Sequence, residues 1–227
     1  MGSTSSKQIP RNASSQAEED ALATLKGFDI VIVVDDSGSM QGSRWKKAGR
    51  ALAQLAAVAA EYDSDGIGIQ FLNSSESRGN VTDTETVKAL FASVAPSGPT
   101  PLGWKLGKIL DAYFEELDHD PRTKPANYIV ITDGAPTDGE TTEHVIVEAA
   151  RKLDERHARV AQIGIQFVQI GSDEAATSYL RSLDDDLSRR NVRDIVDTTT
   201  GEGHHLDLVK ILIGAINRRV DEGVASQ

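Results

Sequence analysis

The 227-residue chain has no cysteine, which excludes disulfides, thiolate metal sites and cysteine nucleophiles together. Aromatic residues make up only 5% of it, so its core must be built from aliphatic side chains and alanine. No apolar run approaches the ~18 residues of a membrane-spanning helix, and no N-terminal stretch has the apolar centre of a signal peptide. Neither a phosphate-binding P-loop nor a Gly-x-Ser-x-Gly nucleophile element occurs. Positive charge is scarce as well: 24 Lys and Arg stand against 35 Asp and Glu, a formal net charge of −11. Such a balance argues against nucleic acid or an anionic lipid surface as the main partner. These absences lead us to expect a soluble, cytoplasmic protein.

What is present is enough apolar material, 39% of the residues, for one sizeable domain. Residues 1–14 are polar and low in complexity and read as a flexible tail. Within it, Gly2 followed by Ser6 fits the myristoylation pattern, against the alternative of a plain small-residue start. One such chain supports only weak, reversible membrane association. Residues 15–27 read as a short leading helix, with Ser15 as cap and Gly27 as stop. Residues 28–220 form the main domain, and 221–227 a C-terminal tail.

Within the main domain, strands and helices alternate. Ile30 to Val34 is a β-branched run suited to a strand buried on both faces. Trp45, Ala48, Leu52, Leu55, Ala59 and Tyr62 recur at helical spacing. Further strands are expected at Ile67–Leu72, Val81–Thr82 (a short edge), Tyr128–Thr132, Val160–Ile170 and Val192–Val196. Helices are expected at Thr84–Val94, Pro101–Leu117, Thr142–Arg156, Glu174–Leu183, and at the C-terminus through Val209, Leu212, Ile213, Ile216 and Val220. This alternation predicts a doubly wound α/β sheet flanked by helices.

In such sheets ligands bind beyond the carboxyl ends of the strands, where the winding reverses. The loops found there are Asp35-Asp36-Ser37-Gly38-Ser39-Met40, Pro96-Ser97-Gly98-Pro99-Thr100-Pro101 and Asp133-Gly134. They supply carboxylates and hydroxyls, an all-oxygen set suited to a hard dication: Mg²⁺, with Mn²⁺ or Ca²⁺ as substitutes. In Asp35-x-Ser37-x-Ser39, alternate side chains project to one side, and Gly38 lets the chain turn between the serines. Thr100 and Asp133 would close the shell from two other loops. Two carboxylates balance a dication's charge, leaving it able to accept an acidic side chain from a partner protein.

These elements resemble the metal-ion-dependent adhesion site of the von Willebrand factor type A domain, and the likeness runs from Phe28 to about Val220. Asp35, Ser37 and Ser39 match the Asp-x-Ser-x-Ser element. Thr100, in Gly-Pro-Thr-Pro-Leu-Gly, matches the threonine loop, with proline where the family more often has glycine. Asp133, in Ile-Thr-Asp-Gly, matches the last acidic position. The resemblance implies that the serines and the threonine touch the metal, while the aspartates bind it directly or through water. It also implies about six strands, one of them a short antiparallel edge. The implied function is metal-dependent protein binding through a partner's carboxylate rather than catalysis, with the last helix, Leu206 to Arg219, coupled to the metal loops in some relatives.

Each residue also has a plainer reading. Asp35 and Asp36 can end a strand, Ser37 and Ser39 can form a turn, Thr100 can cap the following helix, and Asp133-Gly134 is a common turn pair. It is their joint placement at one end of one sheet that favours the ion. Asp36 points away from its neighbours by the same alternation and is left out of the ligand set. His204-His205 lacks a third ligand at a supporting spacing. The Asn-x-Ser/Thr sequences at Asn12, Asn73 and Asn80 are expected to stay unmodified, and Asp184-Asp185-Asp186 reads as a solvated loop. Two enzymatic alternatives are a receiver-like phosphoacceptor domain and a metal-dependent hydrolase. The first needs a lysine after a late core strand, where the turns offer Gly171-Ser172-Asp173 and Asp197-Thr198-Thr199. The second needs a base beside the ion, and no histidine falls in the three loops.

Overall fold

In the computed structural model, which describes residues 13–62, 65–200 and 207–216, a sheet of six strands has the order β3-β2-β1-β4-β5-β6. The strands are β1 (Asp29–Val34), β2 (Ile67–Phe71), β3 (Ser77–Val81), β4 (Ala126–Thr132), β5 (Ile163–Gln169) and β6 (Val196–Thr200). All neighbours are parallel except β2 and β3, so β3 is the antiparallel edge. The helices are α1 (Ala13–Leu22), α2 (Ser43–Tyr62), α3 (Thr84–Ser93), α4 (Leu102–His119), α5 (Gly139–Glu155), α6 (Glu174–Arg189) and α7 (Leu208–Ile213). The doubly wound α/β fold expected from the alternation is the one observed. None of the described helices is long and apolar enough to cross a membrane.

Each sheet face carries its own apolar layer. On one, Ile30, Ile32, Ile129 and Ile131 pack under α2, α3 and α7. On the other, Val33, Val130, Ile165 and Phe167 pack under α4, α5 and α6. The α2 alanines Ala48, Ala51, Ala56 and Ala59 are fully buried, which brings that helix close to the sheet. Its first turn is held by aromatic contacts, with the Trp45 ring 4.4 Å from Phe91 and 6.0 Å from Phe71. Burial on both faces holds for β4 along its whole length but not for β1. There Val31 is half-buried, because it looks into a groove of about 330 Å³ between α4 and the sheet.

Several element boundaries differ from those read along the chain. Ser15 lies inside α1, and the following residues, Ala23–Gly27, tighten into a 3₁₀ helix that ends at Gly27. The edge strand runs over Ser77–Val81 rather than Val81–Thr82, since pairing with β2 supplies the order that its polar residues do not. Val160 is exposed in the turn before β5. The last strand is Val196–Thr200, not Val192–Val196, and so Asp197-Thr198-Thr199 is strand rather than a turn. Its threonines are β-branched and suit a strand despite their polarity. Helix α6 continues to Arg189, so Asp184-Asp185-Asp186 is helical rather than a loop. Buried Ala176, Leu180 and Leu183 hold that helix to the core and leave its outer side free for acids. In the last helix, α7 ends at Ile213 and a turn carries the chain to Ile216. Leu206, the end of the expected helix at Arg219, Val220, His204-His205, Gly2 and Asn12 lie outside the described residues.

Candidate metal centre

The strand order puts β1 beside β4, and the winding reverses between them, because the chain moves to β2 and β3 on one side and to β5 and β6 on the other. Both strands end at the same level, with Val34 opposite Ile131. One further rung, Asp35 N–H donating to Ile131 C=O at 2.8 Å, carries Asp35 to the edge where Asp133 emerges from β4. Loops from distant parts of the sequence therefore meet at the place where open α/β sheets hold ligands.

Asp35 is fully buried, and both its oxygens are occupied. The Ser37 N–H donates to Oδ1 at 2.8 Å, and the Thr132 hydroxyl donates to Oδ2 at 2.7 Å. Burial pushes the Asp35 carboxyl above the usual aspartate range, against the pull of these hydrogen bonds, and the nearby Asp133 charge adds to the rise. Gly38–Met40 forms a single 3₁₀ turn with Met40 buried beneath it. This turn brings the Ser37 and Ser39 hydroxyls within 3.0 Å of each other, and Ser39 Oγ donates to Asp133 Oδ1 at 2.8 Å. Asp133 is itself almost wholly buried. Its other oxygen, Oδ2, is 2.9 Å from Arg44 Nη1, which also donates to the Ser39 carbonyl at 3.1 Å.

The threonine loop is joined to this centre through the backbone. Gly38 N–H donates to Gly98 C=O at 3.0 Å, and Ser97 N–H to Asp36 C=O at 2.7 Å. Thr100 is buried at the end of that loop, and its carbonyl accepts from Thr137 N–H in the loop after β4. Among the described residues no hydrogen bond joins its hydroxyl to the serines, so Thr100 is tied to the centre only through the backbone of its loop, while Asp35 is bonded to Ser37 N–H and the Ser37, Ser39 and Asp133 side chains are linked in a chain. Thr100 does not cap the following helix. Asp138 accepts from the Gly103 and Trp104 N–H groups at 3.1 and 2.9 Å and takes that role. Asp36, read as pointing away, does so: its carboxylate accepts from the Asn73 and Ser74 N–H groups, each at 2.8 Å, and ties β1 to the loop after β2.

Three participants escaped sequence reasoning. Thr132 was visible as a hydroxyl at the end of an apolar strand, next to Asp133, but nothing local showed that it faces Asp35. Asp138 had the signal of an acid shortly before a helix, though it serves a different helix from its own. Arg44 had no signal at all, since its contact with Asp133 depends on how α2 leaves the loop. Among the described residues no group of three or more carboxylates or imidazoles is placed so that it could hold a metal ion. The donors here are two carboxylates and neighbouring hydroxyls, all oxygen, which fits a hard dication and not a zinc-type site.

The chain belongs to the von Willebrand factor type A domain family, whose model matches residues 29–200. Members of this family are generally protein-interaction modules, often metal-dependent. A search of curated proteins finds no match. Among solved structures, the manganese-loaded Plasmodium vivax TRAP protein is similar at 17% identity and a TM-score of 0.53, over 85% of this chain and 74% of that one. The PilB minor pilin from Streptococcus sanguinis, in its D319A form, is similar at 14% identity and a TM-score of 0.52. That match covers 87% of this chain but only 61% of the pilin. At these identities the likeness is one of fold.

Proposed function

We propose that this chain binds a divalent cation, Mg²⁺ first with Mn²⁺ or Ca²⁺ as substitutes, through Asp35, Ser37, Ser39, Thr100 and Asp133. Through the ion it would bind a protein partner that supplies an acidic side chain. The observation that carries this reading is a charge deficit: two buried carboxylates, Asp35 and Asp133, lie close enough that the Asp133 charge adds to the cost of ionising Asp35, and among the described residues the ion pair seen here is that of the half-exposed Arg44 with Asp133. Buried charge of one sign is costly unless compensated, and a dication beside the Ser37–Ser39–Asp133 chain would compensate it. The manganese in the TRAP relative supports a dication in a domain of this fold. Binding rather than catalysis is favoured because none of the hydrogen bonds among the described residues brings a histidine to the centre.

Calorimetric titration of metal-stripped protein with Mg²⁺ should give saturable heat in the wild type and none in Asp35→Ala. No saturable heat in the wild type refutes the metal reading. For the partner, an array of acidic peptides should bind in Mg²⁺ and be released by EDTA. The Ser37→Ala variant should not bind it, and equal binding with and without metal would refute the carboxylate mechanism.

A further inference from the structure

Among the described residues, Arg44 is the positive charge paired with a candidate ligand of this centre, and the metal reading gives it no role in holding the ion. It sits in the first turn of α2, a turn anchored by the adjacent Trp45, whose indole N–H donates to Phe91 C=O at 3.4 Å while its ring packs on Phe91. The backbone that carries Arg44 is therefore held in place. Arg44 Nη1 bridges Asp133 Oδ2 and the Ser39 carbonyl, both parts of the candidate ligand loops. The two partners differ sharply in exposure: the Asp133 side chain is 2% exposed and that of Arg44 45%. Asp133 cannot leave, whereas Arg44 can swing into solvent at little cost. Of the other charges nearby, Asp36 is held by Asn73 and Ser74, and Lys105, whose pKa burial lowers, has Asp36 as its opposing negative charge.

We propose that Arg44 is a tethered competitor of the dication: it holds Asp133 while the metal is absent and weakens the metal's hold when it arrives. This rests on the metal-binding reading above. The two carboxylates carry two negative charges, so Arg44 alone leaves one unbalanced, and a dication alone balances both. The two cations together overfill the site. Their binding to Asp133 is thus antagonistic, and the antagonism is reciprocal. Because Asp133 Oδ1 remains with Ser39, loss of Arg44 frees one carboxylate oxygen without dismantling the loop.

The test is the Mg²⁺ affinity, by calorimetry at fixed ionic strength, of the wild type, Arg44→Gln and Arg44→Lys, together with their melting temperatures with and without Mg²⁺. Arg44→Gln removes the charge but keeps an N–H donor. It should bind Mg²⁺ about three- to tenfold tighter, the range expected for a charge-assisted contact discounted for partial exposure. It should also melt lower than wild type without metal, with the gap closing at saturating Mg²⁺. Arg44→Lys, which keeps the charge, should bind as the wild type does. If the wild type binds Mg²⁺ and Arg44→Gln binds it equally or more weakly, the competitor role is overturned and the metal site stands. If none of the three gives saturable heat, the metal reading itself falls.

Discussion

Replacing Thr132 by valine removes one of the two hydrogen bonds that hold the Asp35 carboxylate. The two side chains are nearly isosteric, and Thr132 is fully buried at the end of a central strand that readily accepts valine, so no cavity or strain accompanies the change. What is lost is chiefly the 2.7 Å bond to Asp35 Oδ2, leaving that oxygen of a fully buried carboxylate without its donor, together with the longer 3.3 Å bond that the hydroxyl accepts from Gly134 N–H. Hydrogen bonds to charged groups contribute about 1.5–3 kcal/mol, and a domain of this size shifts by roughly 2–4 °C per kcal/mol. The metal-free variant should therefore melt about 3–12 °C below wild type at neutral pH. The loss should also depend on pH in a defined direction. Asp35 already ionises above its ordinary value of 3.8, so its ionisation lowers stability as pH rises through its folded-state pKa. Without Thr132 that pKa rises further. The gap between wild type and variant should thus shrink as pH falls below the folded-state pKa of Asp35 and widen as pH rises through it. Thermal denaturation in EDTA across that range is the assay. A variant within about 0.5 kcal/mol of wild type at pH 7, or a gap independent of pH, would refute this account of Asp35.

Two glycines in α4 should respond oppositely to alanine. At Gly103 a Cβ would lie 2.7 Å from the Thr141 carbonyl carbon and 2.8 Å from Thr142 Cα, backbone that cannot yield. Gly103→Ala should cost about 1–3 kcal/mol in urea denaturation as α4 is forced off α5. At Gly107 the nearest atom is a Val145 methyl at 3.5 Å, so Gly107→Ala should be neutral or add up to about 1 kcal/mol of helix propensity. Equal effects at the two positions would contradict the packing described. Arg193 binds Asp154 at 2.6 Å and the Leu153, Ala158 and Arg159 carbonyls at the end of α5, and it holds Asp154 below the usual carboxylate range. Arg193→Ala should cost about 1–2 kcal/mol at pH 7. A depressed carboxylate contributes above its ordinary value of 3.8 and loses that contribution as pH falls below it. The difference from wild type should therefore shrink in acid, and a difference that grew there would contradict the pairing.

Much of the fold was legible because its signals are local. The run Ile30 to Val34 and the apolar stretch before Thr132 mark buried strands by composition alone, and the alanine-rich spacing after Trp45 marks α2. The oxygen-bearing residues of the centre were legible for the same reason, each standing directly after a strand or before a helix. Boundaries failed where order came from a neighbour instead. Ser77–Val81 is a strand because β2 pairs with it, and Val196–Thr200 because β5 does. Asp184 to Asp186 are helical because the leucines before them are buried, a fact that charge counting inverts.

By itself the sequence determined that strands and helices alternate, which strands are buried, and which hydroxyls and carboxylates stand at their ends. Only the tertiary structure decided that β1 lies beside β4, and hence that Asp35 and Asp133 share one buried space. It alone showed that Thr132 supports the first of these carboxylates and Arg44 faces the second. The reason is physical. Periodicity and turn chemistry act within a few residues, whereas the Thr132–Asp35 bond joins positions 97 apart. Such a contact exists only after sheet pairing and the docking of α2 have fixed where each loop emerges. The charge deficit on which the metal reading rests is a property of that assembled space.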